Sequence, residues 1–440
     1  MTENARTRPT ILQRRRARRL AVWNGAVWAI GNGLASTTLV MYLAKELGAE
    51  QLGLGIGLIL AAPHVVGVLR LGAPAMIDRL ANRKRFCIAA FLLSAAMLSA
   101  LPWICSPGRL PSADWSLAAL IVLFCFYHLL QYLGTVALWS WLADAAPLRV
   151  RGRFLGWRQR WIEAGTAVAA IDAGLFVWGL SKLRPDLPNW IPYGIAACLG
   201  AGFMVAALAP LALMPRCRSR EPRPRTTAGW TAPFRDARFL RLLLFGCWFS
   251  FFNGVTQSAQ NYYAMQVLSI SLFVSLALQT GMHLGQGTIS PWLGRLADRL
   301  GNRPVMFVCQ LLVAAGLLFF AAATPAHWQW LIGAWVLWIA YAGLNVCLPN
   351  LILKLAPPQA NASYVAAFYA VTGLCYAAYT ILGGALVDRW KTWTFPLGGN
   401  RWLLFFPCLF IFGWLMRSVG AMLLLWVIEP TAKQPRRRER

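Results

Sequence analysis

Amide-bearing side chains recur at helical spacing in two apolar stretches of the chain. The residues are Asn24, Trp28 and Asn32 in the first stretch, and Asn253, Gln257 and Asn261 at the same offset in the second. Residues four apart stack on one face of an α-helix. Each stretch therefore predicts a helix with one polar stripe, which could hydrogen-bond a bound solute or the neighbouring helices.

Few ionisable side chains occur within the apolar stretches. In a membrane such groups are functional-site candidates, and Glu163, Asp172 and His128 could each carry a coupling proton. Helical rise places Glu163 about 15 Å from the nearer end of its stretch. A static ion pair with Arg160 or another arginine is the open alternative for this carboxylate. Arg417 lies close enough to the end of its stretch for its side chain to reach the membrane surface.

Further polar side chains fall in similar stretches and should face the protein interior, because an unpaired amide facing lipid is costly. The full set of candidate solute contacts is Asn24, Trp28, Asn32, His128, Gln131, Thr135, Asn253, Gln257, Gln260, Asn261, Tyr341 and Asn345. Amides and aromatic rings favour a sugar-like or amphipathic solute. An anionic solute would be expected to require a central arginine.

No pattern for covalent chemistry is visible in the sequence. It lacks the Gly-x-x-x-x-Gly-Lys-Ser/Thr loop that holds nucleotide phosphates in ATPases. Acidic residues and histidines are scattered without metal-ligand or nucleophile–base spacing, and the ten cysteines include no Cys-x-x-Cys pair. We therefore predict no enzymatic activity, no catalytic residue, no metal site and no cofactor.

The composition is that of a membrane protein. Hydrophobic residues make up 58% of the chain and charged residues 13%, whereas soluble domains carry about 25% charged residues. The formal net charge is +27, and the basic residues concentrate in the loops and tails predicted to be cytoplasmic. This bias predicts anionic lipid headgroups as partners and no nucleic acid.

Apolar runs separated by charged or Gly/Pro-rich turns predict twelve membrane-spanning segments. They are residues 20–44, 52–73, 86–104, 115–144, 153–180, 189–214, 239–264, 268–293, 304–323, 328–355, 360–387 and 402–428. An even number places both basic tails, residues 1–19 and 429–440, in the cytoplasm. The Arg- and Pro-rich linker 215–238 is expected to be cytoplasmic and separates two six-helix halves, residues 20–214 and 239–428.

A mixed-charge turn occurs once in each half. It reads Gly294-Arg295-Leu296-Ala297-Asp298-Arg299-Leu300-Gly301-Asn302-Arg303 in the second half and Pro74-Ala75-Met76-Ile77-Asp78-Arg79-Leu80-Ala81-Asn82-Arg83 in the first. The second copy resembles the signature loop of the major facilitator superfamily, Gly-x-x-x-Asp-Arg-x-Gly-Arg-Arg/Lys. The first copy has Pro74 and Ala81 where the family has glycine. The resemblance covers nearly the whole chain and implies an all-α polytopic membrane protein with two pseudo-symmetric six-helix bundles.

The resemblance also implies roles for particular residues. In the superfamily the first, fourth, seventh and tenth helices line a central cavity, which is where the two polar stripes would lie. The loop aspartates would hold a cytoplasmic gate shut through arginines and a helix N-terminus, unless the loops are plain solvated turns. The candidate gating residues are Asp78, Arg79, Arg83, Asp144, Arg151, Asp298, Arg299 and Arg303.

The function expected from these features is secondary active or facilitative transport of a small organic solute by alternating access. The alternative is a non-transporting membrane protein of the same fold that serves as an assembly factor or receptor for a pigment or lipid. Drug/proton antiporters of the superfamily carry an arginine in helix four and a Gly-Pro motif in helix five; both are absent, which disfavours multidrug efflux. The cell inner membrane is the expected location, and a proton is the candidate coupling ion.

Overall fold

The computed structural model describes residues 11–71, 83–145, 148–215, 233–357, 361–396 and 402–429, and most of them are helical. The first half of the chain contains α1 (Ile11–Leu34), α2 (Thr37–Glu46), α3 (Leu52–Gly67), α4 (Arg83–Ile104), α5 (Ala113–Ala145), α6 (Leu148–Leu183), α7 (Trp190–Ala206) and α8 (Leu208–Leu213). The second half contains α9 (Ala237–Tyr262), α10 (Leu272–Leu300), α11 (Asn302–Ala322), α12 (Trp330–Leu337), α13 (Tyr341–Leu355), α14 (Asn361–Trp390) and α15 (Phe405–Leu423).

The helices follow the twelve predicted segments. Among the described residues, ten helical spans are long and apolar enough to cross a membrane, and α3 is a shorter apolar helix. The remaining predicted segment, 268–293, corresponds to α10, whose 29 residues include the polar side chains Gln279, Thr280 and Gln286. This agreement has a simple cause, since the thickness of a bilayer fixes the length of an apolar helix that crosses it.

The structure departs from the predicted segments at the first of them. Helix α1 begins at Ile11, so residues 11–19, which were predicted as part of the basic tail, belong to the first helix. The segment is also interrupted at Ser36, whose hydroxyl accepts a 3.3 Å hydrogen bond from the N–H of Leu39 at the start of α2. Serine is a preferred N-cap because its oxygen satisfies an N–H that has no partner inside the helix.

A short β-hairpin precedes the last helix. Strand β1 (Thr394–Pro396) pairs antiparallel with β2 (Trp402–Leu404), with Thr394 opposite Leu404. The predicted segment 402–428 therefore begins as a strand, and its helix starts only at Phe405. Apolar composition alone does not distinguish a short strand from a helix end.

The described residues fall into two compact units. Unit 1 comprises those within Met1–Arg223, Gln257–Thr280 and Ala377–Lys391. Unit 2 comprises those within Pro224–Thr256, Gly281–Tyr376 and Thr392–Arg440. The division passes through α9, α10 and α14, so each of these helices contributes to both units.

In unit 1, α1 packs against α6 and α7, and α5 packs against α3 and α4. Glycines allow the closest of these approaches: a Cβ at Gly31 would lie 2.6 Å from the carbonyl oxygen of Gly200, and a Cβ at Gly200 would meet Ala35. Small residues at helix contacts are typical of membrane proteins, where close van der Waals packing drives association.

Hydrogen bonds explain why parts of the second half of the chain belong to unit 1. The hydroxyl of Tyr42 donates to the carbonyl of Ile270 at 2.6 Å. The ammonium of Lys45 donates to the carbonyl of Met265 at 2.8 Å. Both bonds fix the connection between α9 and α10 against the end of α2.

In unit 2, α11 packs against α13 and α15. The indole of Trp338, in the short turn between α12 and α13, donates a 3.2 Å hydrogen bond to the carbonyl of Val313 and stacks on Phe320 at 5.4 Å. This polar contact lies in an apolar interior, where an unpaired indole N–H would be costly.

Candidate functional site

The polar stripe predicted for the seventh segment lies on α9. Asn253, in unit 2, accepts a 3.3 Å hydrogen bond from the hydroxyl of Tyr341 at the start of α13. Asn261, in unit 1, donates at 2.9 Å to the carbonyl of Gln257 one turn earlier. Two of the candidate solute contacts, Asn253 and Tyr341, are thus direct neighbours, and both are half-buried.

Three candidates in unit 1 carry buried polar atoms with no hydrogen-bond partner among the described residues. The atoms are Nε2 and Oε1 of Gln260, Nε2 of His128 and Nε1 of Trp28. Gln260 is only 3% exposed. Leaving a buried donor or acceptor unpaired costs about 1–3 kcal/mol, so among the candidate solute contacts of unit 1 these atoms have most to gain from a bound ligand.

The imidazole of His128 is held between aromatic rings. Its centroid lies 4.4 Å from that of Phe124 and 4.9 Å from that of Tyr127, both edge-on. The phenyl and phenol rings fix the orientation of the imidazole without using its nitrogen Nε2. A histidine in this setting has a fixed position and a free polar atom, which suits contact with a solute or a proton.

Other candidates of unit 1 are engaged in packing. Asn24 is buried, and its amide donates a 2.9 Å hydrogen bond to the carbonyl of Ala207. The amide oxygen of Gln131 accepts from the hydroxyl of Ser94 at 3.2 Å, and Thr135 donates to the carbonyl of Gln131. The gap among these side chains has no room for a water molecule. For Asn24 and Gln131 the structure therefore supplies the interhelical hydrogen bonds that were the alternative to solute binding.

The remaining candidates are more accessible. Asn32 and Gln257 are half-buried, and Asn345 is exposed. Glu163 and Asp172, both on α6, are exposed as well. Their accessibility is compatible with proton exchange, and their coupling role stays a prediction.

The gating candidates are only partly described. Asp78 and Arg79 lie outside the described residues, and the side chains of three others, Arg83, Asp144 and Arg151, are not described either. Asp298 and Arg299 are exposed at the end of α10, and within the described ranges Asp298 forms no hydrogen bond or salt bridge. The gating role of these residues stays a prediction.

Arg303 belongs to a polar cluster around Glu429. The Glu429 carboxylate accepts backbone hydrogen bonds from Asn302 and Arg303 at 3.1 and 3.0 Å, a side-chain bond from Asn302 at 2.6 Å, and one from Lys354 at 2.8 Å. Gly301 precedes this helix start with φ +94°, a conformation that favours glycine. Burial by itself raises the pKa of Glu429, but the bonds from Lys354, Arg303 and Asn302 outweigh it and lower the pKa to about 2.

Comparison with known proteins gives a family match for part of the chain. Residues 257–440 match the family model of the Major Facilitator Superfamily. This part of the chain is therefore similar to the major facilitator superfamily. The matched region contains the better copy of the signature loop, residues 294–303, which agrees with the weaker resemblance of the first copy. No curated protein matches the chain by sequence.

Solved structures of superfamily transporters share the fold over nearly the whole chain. A variant of the nucleoside transporter NupG aligns with a TM-score of 0.69 and 14% identity, covering 94% of this chain and 100% of the other. A D-xylose-proton symporter aligns with a TM-score of 0.69 and 15% identity, over 94% and 98% of the two chains. A bacterial homologue of the human lysosomal transporter Spinster aligns with a TM-score of 0.61 and 16% identity, covering 95% of this chain and 96% of the other. The protein is therefore an integral membrane protein with the twelve-helix superfamily fold.

One prediction about an ionisable residue is wrong. Arg417 was expected to extend to the membrane surface, but its side chain is buried in unit 2 with 1% exposure. Counting residues from either end of the predicted segment 402–428 would have placed it near the middle of the membrane. Sequence reasoning also missed Tyr376 as a neighbour of this arginine, because no spacing rule relates two residues on different helices.

Proposed function

We propose that the protein is a secondary active or facilitative transporter of a small organic solute that works by alternating access. The observation that carries the proposal is the set of unpaired polar atoms on Trp28, His128 and Gln260 in a chain with a transporter fold. Polar groups at membrane depth are rare and usually functional. A solute with hydroxyl, amide or aromatic groups would supply the missing hydrogen bonds.

The named activities of the similar structures support this proposal at the level of substrate size. A nucleoside and D-xylose are small polar organic molecules, and the second similar protein is a proton symporter by name. A coupling proton on Glu163, Asp172 or His128 is part of the proposal for the present chain. Transport of this kind involves no covalent chemistry, so no enzymatic activity, cofactor or metal is proposed.

The proposed setting is the cell inner membrane with both termini in the cytoplasm. The arginines of residues 1–19 and 429–440 and of the linker 215–238 would then contact anionic headgroups of the inner leaflet. The bundles 20–214 and 239–428 would be the two rocking bodies. No nucleic acid is proposed as a partner.

The proposed gates lie at the cytoplasmic ends of the helices. The set comprises Asp78, Arg79, Arg83, Asp144, Arg151, Asp298, Arg299 and Arg303. A charge at a helix terminus contributes about 0.3–1 kcal/mol, enough to bias an equilibrium between two conformations that differ by a few kcal/mol.

The proposal is tested in two steps with the full chain. Protein in detergent is screened by thermal unfolding against sugars, nucleosides, amino acids, organic acids and amphipathic drugs at two pH values. A ligand at a hundred times its Kd stabilises the folded state by about 2.7 kcal/mol. Each hit is then tested for uptake by liposomes containing the protein, and uptake above that of protein-free liposomes is the expected result.

Two glutamine variants connect the screen to the site. Gln260→Leu removes two unpaired buried atoms, so it should abolish the ligand-induced shift without lowering the stability of the free protein. Gln279→Leu is the matched control, because this amide donates a 3.0 Å hydrogen bond to Thr38. It should lower the stability of the free protein and keep the shift. Binding without uptake by liposomes would contradict transport and favour the scaffold alternative.

A further inference from the structure

Arg417 lies at membrane depth inside unit 2. It is twelve residues from the start of α15, which corresponds to about 18 Å along the helix axis, in a hydrocarbon core about 30 Å thick. Its exposure of 1% places it among the largest fully buried side chains of the described residues. The guanidinium is therefore removed from both water and lipid headgroups.

The hydrogen-bonding capacity of this guanidinium is largely unused. Nη2 donates to the hydroxyl of Thr256 on α9. Nε and Nη1 have no partner among the described residues. Gln310, on α11, donates at 3.2 Å to the backbone carbonyl of Arg417 and so does not satisfy the guanidinium. Of five N–H donors, the three on Nε and Nη1 are left without an acceptor.

Among the described residues of unit 2, the positive charge also lacks a counter-charge. The described acidic residues of unit 2 are Asp236, Asp298 and Glu429, and all lie at or beyond helix ends. Asp236 is paired with Arg238, and Glu429 with Lys354. Arginine keeps its proton in proteins, so this charge is not removed by deprotonation. A buried, unpaired charge of this kind is strongly unfavourable unless something else neutralises it.

The neighbours of the guanidinium provide a route for such a group. Tyr341 on α13 and Tyr376 on α14 lie close enough to interact with Arg417. Both tyrosines and Asn253 are half-buried, so parts of the side chains around Arg417 are accessible. The Tyr341 hydroxyl donates a 3.3 Å hydrogen bond to Asn253. The lone pairs of the Tyr341 oxygen are not used by this bond and can face the charge of Arg417.

We propose that Arg417 binds a negatively charged group, a carboxylate or phosphate, of the transported solute. The unpaired donors on Nε and Nη1 bind its oxygens, and the hydroxyls of Tyr341 and Tyr376 contact it from the accessible side. Charge-assisted hydrogen bonds to arginine are stronger than neutral ones. The inference rests on the proposed transport function and replaces the sugar-like, uncharged solute expected from the sequence with an organic anion.

The test compares charged and uncharged members of solute pairs. Thermal unfolding of the full chain is measured with glucuronate against glucose, lactate against glycerol, and uridine monophosphate against uridine, at constant ionic strength set by sodium methanesulfonate. Chloride and inorganic phosphate form a separate arm. At least one organic anion should raise the melting temperature of the wild type, and its uncharged partner should do so less or not at all.

Three variants and one control variant locate the effect. Arg417→Gln should require at least tenfold more of that anion for the same shift, and Arg417→Lys should recover part of the affinity. Tyr341→Phe keeps the ring and the charge, so it provides a folded variant with a severalfold weaker response. Arg241→Gln, an exposed arginine of α9 in the same unit, controls for net charge and should respond like the wild type.

Each outcome of this test decides the proposal. Absence of a shift with every organic anion, an equal shift in Arg417→Gln, or a shift with inorganic anions only would overturn it. Liposome uptake separates this result from the transport proposal. Uptake of an uncharged solute that survives Arg417→Gln would reject the anion site and leave transport standing, whereas anion binding at Arg417 without uptake would reject transport alone.

Discussion

The carboxylate of Asp388, near the end of α14, accepts a 2.9 Å hydrogen bond from the backbone N–H of Gly53 at the start of α3. A second bond of 2.7 Å comes from the N–H of Leu54. Gln51, the residue at the N-cap of α3, makes no capping bond with its own side chain. Asp388 therefore caps α3 from another helix, and it places a negative charge at the positive end of the helix dipole.

Removing the charge of Asp388 should destabilise unit 1. For Asp388→Asn we expect a loss of about 0.5–2 kcal/mol, since one cap and the charge–dipole attraction are weakened. The measurement is the apparent melting temperature in detergent. Lys391→Gln is the control, because its ammonium lies 3.9 Å from the same carboxylate on a partly exposed surface and should contribute little. Equal effects of the two substitutions would contradict the capping role.

The contact between α3 and α14 also depends on glycine. A Cβ at Gly384 would overlap the carbonyl oxygen of Gly53, and one at Gly53 would meet Asp388. Gly384→Val should therefore force the helices apart and cost about 1–3 kcal/mol, seen as a lower melting temperature and faster proteolysis. Gly202→Ala, with open space around its Cβ position, should be neutral or slightly stabilising. A Gly384→Val protein as stable as wild type would show that the helices separate without cost.

The cluster around Glu429 predicts a pH dependence of stability. The pKa of this carboxyl is lowered from 4.5 to about 2 in the folded protein, so its contribution is fully present above about pH 4.5 and is lost as the pH falls toward 2. Glu429→Gln should lower the melting temperature at pH 7, by an amount corresponding to about 1–3 kcal/mol. The difference from wild type should narrow below pH 4.5.

Asp298→Asn is the matched control for Glu429. Asp298 is exposed and, within the part of the chain that the structure describes, has no hydrogen bond or salt bridge. Its substitution should shift the melting temperature little at pH 7. A constant difference between Glu429→Gln and wild type from pH 7 down to about pH 3 would show that the carboxylate is not held by its charge.

The sequence was sufficient for those features that depend on one helix at a time. Apolar length predicted the twelve segments, and four-residue spacing predicted the polar stripe on α9 that carries Asn253 and Asn261. The signature loop predicted the family through Gly301 and Asp298. Each of these features follows from local geometry, since the rise per residue of a helix and the thickness of the bilayer are fixed.

Features that depend on which helices are neighbours could not be read in this way. Asp388 and Gly53 are 335 positions apart. No pattern in the sequence around either residue predicts that the two are in contact. The depth of Arg417 could have been counted, but the direction of its side chain is set by packing against Thr256. Asn24 shows the same limit, because its stripe suggested a solute contact while the structure engages its amide with Ala207.

Proton coupling is the prediction with most bearing on mechanism, and Glu163 is the first residue to change. Helical rise placed it near the middle of the membrane, where ionisable groups are functional-site candidates, and its side chain is exposed. With a solute identified by the stabilisation screen, Glu163→Gln should abolish the stimulation of liposome uptake by an inward proton gradient. Exchange of labelled for unlabelled solute, which needs no net proton movement, should continue at a similar rate.

Asp172→Asn, exposed on the same helix, is the matched control and should keep gradient-driven uptake. Loss of stimulation in Asp172→Asn but not Glu163→Gln would move the coupling site, and loss of exchange as well would mean that Glu163 instead holds a static ion pair needed for the fold.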